Sequence, residues 1–271
     1  SSQPMSSLLA PFFSQFALAG VAFLLSPRVA RSPRHVWTLT LALALGAMLL
    51  WPLMRAFPLQ PIEWIGAPIV ACIELTGLAI PAVLFFGVAS HRVPKAADGR
   101  AIRFLTVFAA VYFIRAGWWM LAPAAAGVGP TNIDNEGICR QTTGYTCVAA
   151  SMVTMLRARG VAADEAEMAR LAHTQTGGGA TDSRALWALQ AKLANTPLRP
   201  RYAVLDAAQL AAAPKPCLVQ LDWGFFVSHM VPVMEATTDR VVIGDPLSGR
   251  REMTMSDFMA KWKRMAIVLE P

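Results

Sequence analysis

The sequence predicts a chain in two parts, an α-helical membrane domain of four transmembrane helices over residues 1–129 and an α+β domain over residues 130–271. Three observations carry that division. Hydrophobic residues make up 55% of the chain and charged residues 15%, which is apolar for a soluble protein. Charge is shared unevenly: residues 1–129 carry 9 Lys or Arg against 3 acids, and residues 130–271 carry 15 against 14. A cluster of Gly, Ala and Pro over residues 123–130 separates long uncharged runs from a stretch of ordinary charge content. There, short helical and strand patterns alternate.

Four runs, residues 8–25, 37–54, 67–89 and 104–122, match the roughly 20 residues a bilayer-spanning helix needs. The first has no basic stretch ahead of it and no small-residue cleavage site, so it reads as a retained span and not a signal peptide. Arg28, Arg31 and Arg34 lie between spans one and two, and Arg92, Lys95, Arg100 and Arg103 between spans three and four. Both loops are therefore expected in the cytoplasm. An even number of spans then sets the C-terminal half on the outer side, periplasmic or extracellular, of a bacterial inner membrane. Trp51, Trp64, Trp118 and Trp119 fall near one interface and Trp37 near the other, as indole rings prefer. Glu74 and Arg115 lie at matched depth, and the cost of an unpaired charge there predicts an ion pair between them, with snorkelling of Arg115 as the alternative. Two ionisable groups are too few to indicate a channel.

The basic excess sits in short loops between apolar runs, so no nucleic-acid partner is expected; the expected partners are the bilayer and a peptide. Cys72, Cys139, Cys147 and Cys217 have neither the density of a disulfide scaffold nor the spacing of a zinc site. No metal or organic cofactor is called for.

The chemistry concentrates in the second half. Val148, Met152, Met155 and Leu156 recur at helical spacing, Thr146 is a candidate N-cap and Gly160 a terminator, so a helix is predicted over residues 147–159. Cys147 opens it, where the dipole and free amides favour a thiolate. Gln141, just upstream, carries a side-chain amide able to donate to an oxyanion, with the Cys147 N–H as second donor. Residues 229–235 and 240–245 read as two strands joined by a tight turn at Thr237 and Thr238. That turn sets His229 opposite Asp245 or its neighbour, within reach across antiparallel strands. The arrangement is a nucleophile, a base and an orienting carboxylate. Competing assignments are His173 as base, Cys139 or Cys217 as nucleophile, and Asp222 as orienter. His35 and His91 belong to loops on the far side of the membrane. A disulfide between Cys139 and Cys217 would fit a domain outside the cytoplasm.

Together these elements resemble the bacteriocin-processing, double-glycine cysteine peptidases, a papain-like family, over roughly residues 138–269. The match comprises Gln141 ahead of Cys147, the helix ending Leu156-Arg-Ala-Arg-Gly160, the turn Gly177-Gly-Gly-Ala-Thr181, the His229 strand, the Val242-Ile-Gly-Asp245-Pro-Leu-Ser-Gly249 turn, and Phe258 and Trp262 before Ile267-Val-Leu269. The resemblance implies an α+β papain-like domain in which Cys147 is nucleophile, His229 acid and base, Asp245 orienter and Gln141 oxyanion donor. Thr146-Cys147-Val148 departs from the family's usual Asp-Cys-Gly, which bears on the substrate groove. The expected activity is cleavage of a peptide bond in a secreted or membrane-associated protein. Rivals are a thioester-forming acyltransferase or transpeptidase with the same triad, and a non-catalytic peptide-binding module. The apolar loop over residues 223–227 is left as lid, substrate wall or bilayer contact.

Overall fold

A computed structural model describes residues 6–56, 62–74, 77–93, 96–121, 127–224 and 227–271. The chain divides into two compact units, one mainly of residues 3–60 and 72–122, the other mainly of residues 61–71 and 123–271.

The first unit is helical. α1 (Ser6–Arg31) ends where Ser32 bonds back to the Val29 carbonyl and Pro33, lacking an N–H, opens a new helix, α2 (Arg34–Ala56). After α3 (Ile62–Ile65), which with the residues up to Ala71 belongs to the other unit, the third apolar run is not one continuous helix. It breaks into α4 (Ala67–Ile73) and α5 (Ala79–Arg92). Gly77 sits at the break, where a Cβ would stand 2.8 Å from the Ile73 carbonyl oxygen, and Pro81 then suits only the first turn of a new helix. α6 (Ala96–Gly117) follows, closed by a 3-10 turn at Trp118–Met120. Among the described residues two stretches, Phe13–Arg31 and Gly99–Met120, are long and apolar enough to cross a membrane, while the apolar parts of α2 and α5 are shorter. The expectation of four transmembrane helices is thus matched among the described residues by two stretches and not by four.

α5 packs against α1, α2 and α6, and small side chains, Ala19, Ala79 and Ala82, with Val83 and Phe113 make the helix contacts. Large apolar side chains point outward instead, Leu24 and Phe104 each 70% exposed. Arg92 lies 4.4 Å over the Trp37 ring and donates to the Ala30 carbonyl, so the α1–α2 and α5–α6 connections share one end of this unit. Among the described residues, the expected ion pair between Glu74 and Arg115 is not formed. Glu74 is buried in the turn that ends α4, whereas Arg115 is exposed on the outward side of α6. Trp119 is buried and so does not join an exposed belt with Trp118; the Trp51 side chain and Lys95 lie outside the described residues.

The second unit begins with a short pair, β1 (Asn132–Ile133) and β2 (Cys139–Arg140), antiparallel to each other. Then come α7 (Cys147–Ala158), α8 (Glu165–Leu171) and α9 (Asp182–Lys192). Asp164 and Thr181 cap the latter two through side-chain oxygens. β3 (Arg199–Val204) and α10 (Ala207–Ala212) lead into β4 (Cys217–Gly224), β5 (Val227–Ala236), β6 (Arg240–Asp245) and β7 (Gly249–Thr254). α11 (Met255–Lys261) and β8 (Trp262–Glu270) close the chain. The six strands from β3 onward form one antiparallel sheet in the order β3-β8-β4-β5-β6-β7.

The alternation of each strand makes two layers. Cys217, Val219, Leu221, Val231 and Val233 share a core with Leu210 of α10 and Phe258 of α11. α7, buried along most of its length, contributes nothing to that cluster and packs on β5, with α8 and α9 around it. The predicted hairpin is present, but a bulge between Val233 and Glu235 shifts its register. Val233 pairs with Ile243 and Ala236 with Val241. Continued two residues, this register sets Asp245 across from Val231, one same-face step from His229.

Candidate active site

Cys147 begins α7 as expected, although Thr146 does not cap the helix. Its hydroxyl turns back to Thr143, accepting from the Thr143 N–H (3.3 Å) and meeting the Thr143 hydroxyl at 3.0 Å. The first amides of α7 are thereby left for the sulfur. The thiol of Cys147 is partly exposed and hydrogen-bonds the His229 side chain and the backbone amides of Met230 and Val148. Burial pushes the thiol up, but the bonds to His229 and those amides outweigh it and hold Cys147 below the ordinary thiol value of 9.0.

His229 stands on β5, paired in the ladder with Leu221 of β4. Its Nε2 lies 2.9 Å from Asp245 Oδ1, which leaves Nδ1 for the sulfur. Burial alone would lower the imidazole; the bonds to Asp245 and to Cys147 reverse this and raise it from 6.5 to about 9. Asp245 is fully buried at the end of β6. Burial opposes its charge, yet His229, the Ser248 hydroxyl (2.6 Å) and the Leu247 N–H (2.8 Å) hold its carboxyl well below the usual carboxylate range. Arg251 Nη1 adds a contact at 3.7 Å. A thiol pulled down, an imidazole pushed up and a carboxylate kept ionised favour a thiolate–imidazolium pair.

The rest of the site is loop. The turn after Asp245 closes at Gly249, whose φ of +88° is a conformation that side chains rarely adopt. Arg140 holds the same turn by donating to the Leu247 carbonyl. Gln141 N–H donates to the Pro246 carbonyl at 3.0 Å, which ties the Gln141 segment to the Asp245 turn. The Gln141 side-chain nitrogen donates to the Thr143 carbonyl at 2.6 Å; one N–H of the amide is used there and one is left over. Trp223 lies with its ring 4.6 Å from the His229 ring, tilted by 55°. The sequence placed Trp223 only in an apolar loop, of which residues 225 and 226 and the Val227 side chain fall outside the described set.

The competing assignments are not brought to this point. Asp222 is 61% exposed and pairs with Lys263 at 3.0 Å. His173 packs on Trp187, and burial, aided by Arg184, pushes it down to about 4. Cys139 and Cys217 are free thiols, so the expected disulfide is absent. The reason is their layers: Cys217 faces the core under α10 and α11, while Cys139 sits in β2 beside α7, its N–H bonded to Thr154. Burial pushes these thiols up to about 11 and about 12 respectively. Val148, the departure next to the nucleophile, is 4% exposed and so packs inward. Ser248 and the Leu247 N–H were missed by sequence reading; their signal was the Asp-Pro-Leu-Ser spacing, in which an Asp side chain binds groups two and three residues on. Among the described residues no group of His, Cys, Asp and Glu is arranged to hold a metal.

Comparison with known proteins gives a family match over residues 135–271, to the Peptidase C39 family. No curated protein matches the chain. Among solved structures, the peptidase domain of Streptococcus ComA, a bi-functional ABC transporter involved in a quorum sensing pathway, is 21% identical; the match covers 49% of this chain and 96% of that one, with a TM-score of 0.44. The peptidase domain of Streptococcus mutans ComA is 19% identical, over 50% of this chain and 99% of that one, with a TM-score of 0.39. A double glycine motif protease from an AMS/PCAT transporter, in complex with the leader peptide, is 17% identical over 55% of this chain and 97% of that one, with a TM-score of 0.43. With the family match spanning half of its length, the chain belongs to the Peptidase C39 family of cysteine peptidases.

Proposed function

We propose that this protein is a membrane-bound cysteine peptidase in which Cys147, His229 and Asp245 are the catalytic triad and Gln141 an oxyanion donor. The observation that carries the reading is the buried His229 ring, whose Nε2 lies 2.9 Å from Asp245 Oδ1 and whose other partner is the Cys147 thiol. The Cys147 thiolate attacks a peptide carbonyl carbon, and the oxyanion meets the spare N–H of the Gln141 amide and the Cys147 backbone N–H. The His229 imidazolium gives its proton to the leaving amine as the C–N bond breaks. Water then attacks the thioester, losing a proton to His229 and releasing the acid and the thiolate. Asp245 holds the ring by Nε2 throughout, so Nδ1 faces the sulfur at each step.

The outward-facing Leu and Phe side chains of α1, α2 and α6 support a bilayer around the first unit, with four crossings as the proposed topology. The shared end of the arginine-bearing connections supports a cytoplasmic position for both loops. The peptidase domain then faces the periplasm or exterior, and the substrate is a peptide or small protein at the membrane surface, cleaved in an extended segment of small residues.

The test is iodoacetamide labelling of the full chain near neutral pH, paired with hydrolysis of a peptide ending in two glycines before the scissile bond. Selective labelling of Cys147 that is lost in His229→Ala, together with hydrolysis, is the expected result. Equal slow labelling of every accessible cysteine overturns the triad. Product masses with and without an added amine separate hydrolysis from acyl transfer, and a membrane-impermeant thiol reagent on intact cells reports the side on which Cys147 lies.

A further inference from the structure

The segment that presents Gln141 has little regular structure of its own, since β2 is two residues long. Its amides are held one by one. Cys139 N–H donates to Thr154 Oγ1 at 2.9 Å, Gln141 N–H to the Pro246 carbonyl at 3.0 Å, Thr142 N–H to Glu165 Oε1 at 3.0 Å and Thr143 N–H to Thr146 Oγ1 at 3.3 Å. Of these acceptors only Glu165 is ionisable. It opens α8, where an acid is expected on electrostatic grounds alone and would ordinarily face water. Here it is 0% exposed. Its own N–H donates to Thr131 Oγ1 at 2.8 Å, and its Oε2 is buried with no hydrogen-bond partner among the described residues.

Glu165 commits its one hydrogen-bonded side-chain oxygen, at 3.0 Å, to a backbone N–H. That bond falls on the residue following Gln141. With the Pro246 carbonyl on the preceding N–H, the Gln141 backbone is clamped from both sides, once by the turn that carries Asp245 and once by α8. We propose that Glu165 is a positioning residue for peptide cleavage: through the Thr142 N–H its carboxylate holds the Gln141 amide at the place where the oxyanion forms. This rests on the reading of Gln141 as oxyanion donor. Oxyanion catalysis depends on donors already in place before charge develops, so a displaced segment costs rate without touching the thiolate.

Two reactions of the same sulfur separate these effects. Alkylation of Cys147 by iodoacetamide is a displacement at saturated carbon and forms no oxyanion; acylation by the p-nitrophenyl ester of N-acetylglycine forms one. In the full-length protein, Glu165→Ala is expected to lower the acylation rate about tenfold while alkylation stays within about twofold of wild type. Glu165→Gln keeps an oxygen acceptor for the Thr142 N–H and is expected to retain acylation within about threefold. Gln141→Ala should lose about as much as Glu165→Ala, and the double variant should be no slower than Gln141→Ala alone. Losses that multiply, or a Glu165→Ala variant whose alkylation falls as far as its acylation, overturn the proposal. If Glu165→Ala does not fold, the contrast between Glu165→Asp, which withdraws the oxygen, and Glu165→Gln decides: equal rates overturn it. A Gln141→Ala variant that acylates at the wild-type rate would instead sink the donor role on which the proposal stands.

Discussion

The start of α7 and the start of β4 each hold a cysteine, in surroundings that drive the thiols in opposite directions. Cys217 is buried and Cys147 partly so, and for both burial is the largest influence. At Cys217 only the nearby charge of Lys215 opposes it, and too weakly: the side chain joins Val219, Val231 and Phe258 in the apolar core and is pushed up to about 11. At Cys147 a protonatable ring and two backbone amides face the sulfur, and the direction is reversed. Burial alone therefore says little about reactivity; what the thiolate can bond to decides it.

The sharpest way to break this contrast is to exchange the sulfurs' roles. Cys147→Ala is expected to lower peptide hydrolysis by at least about 10⁴-fold, whereas Cys217→Ala leaves it within about threefold, measured as kcat/KM. Comparable losses in both would mean the two environments do not differ as described. Asp245→Asn tests the support behind the ring; losing its orientation and charge should lower kcat by about 10²- to 10⁴-fold.

The pH profile sharpens the comparison further. His229 is raised and Cys147 lowered, so the ion pair exists at pH values between the two. Activity should fall on the acid side as Cys147 takes up a proton, and on the alkaline side near pH 9 as His229 loses the one it gives to the leaving amine. In Trp223→Ala the protonated His229 ring loses the π system that lies 4.6 Å from it; the alkaline limb is expected to move downward and kcat/KM to fall about fivefold, the worth of one exposed cation–π contact. An unshifted limb would show that Trp223 does no more than line the surface. Cys217→Ser, which buries a hydroxyl in the apolar core, should cost about 1–3 kcal/mol of stability, seen in thermal melts, with activity per folded molecule unchanged.

How far the site could be read in advance differs residue by residue. The α7 helix, its stop at Gly160 and the strand pair carrying His229 and Asp245 were legible, because capping, helical spacing and alternation are local. His229 and Asp245 are in contact, though not by direct opposition: the turn pairs Ala236 with Val241, the bulge moves the register back by one residue, and the side chains meet across one same-face step. Thr146 reads as a cap from sequence and is not one, since its hydroxyl is taken by Thr143. Glu74 and Arg115 share a depth in sequence but not a helix face. The third apolar run has the length of a span, yet it divides into α4 and α5 with Gly77 at the break.

The sequence by itself determined the α7 helix, the strand pair that carries His229 and Asp245 and the chemical types available to the site, all of which follow from composition and from periods of a few residues. Only the tertiary structure decided which acid reaches His229, that Cys139 and Cys217 lie in different layers, and that Glu165 turns inward to the Gln141 segment. The reason is physical. Periodicity selects the face on which a side chain stands, but contacts between distant segments depend on sheet order, bulges and loop closure, which no local spacing encodes.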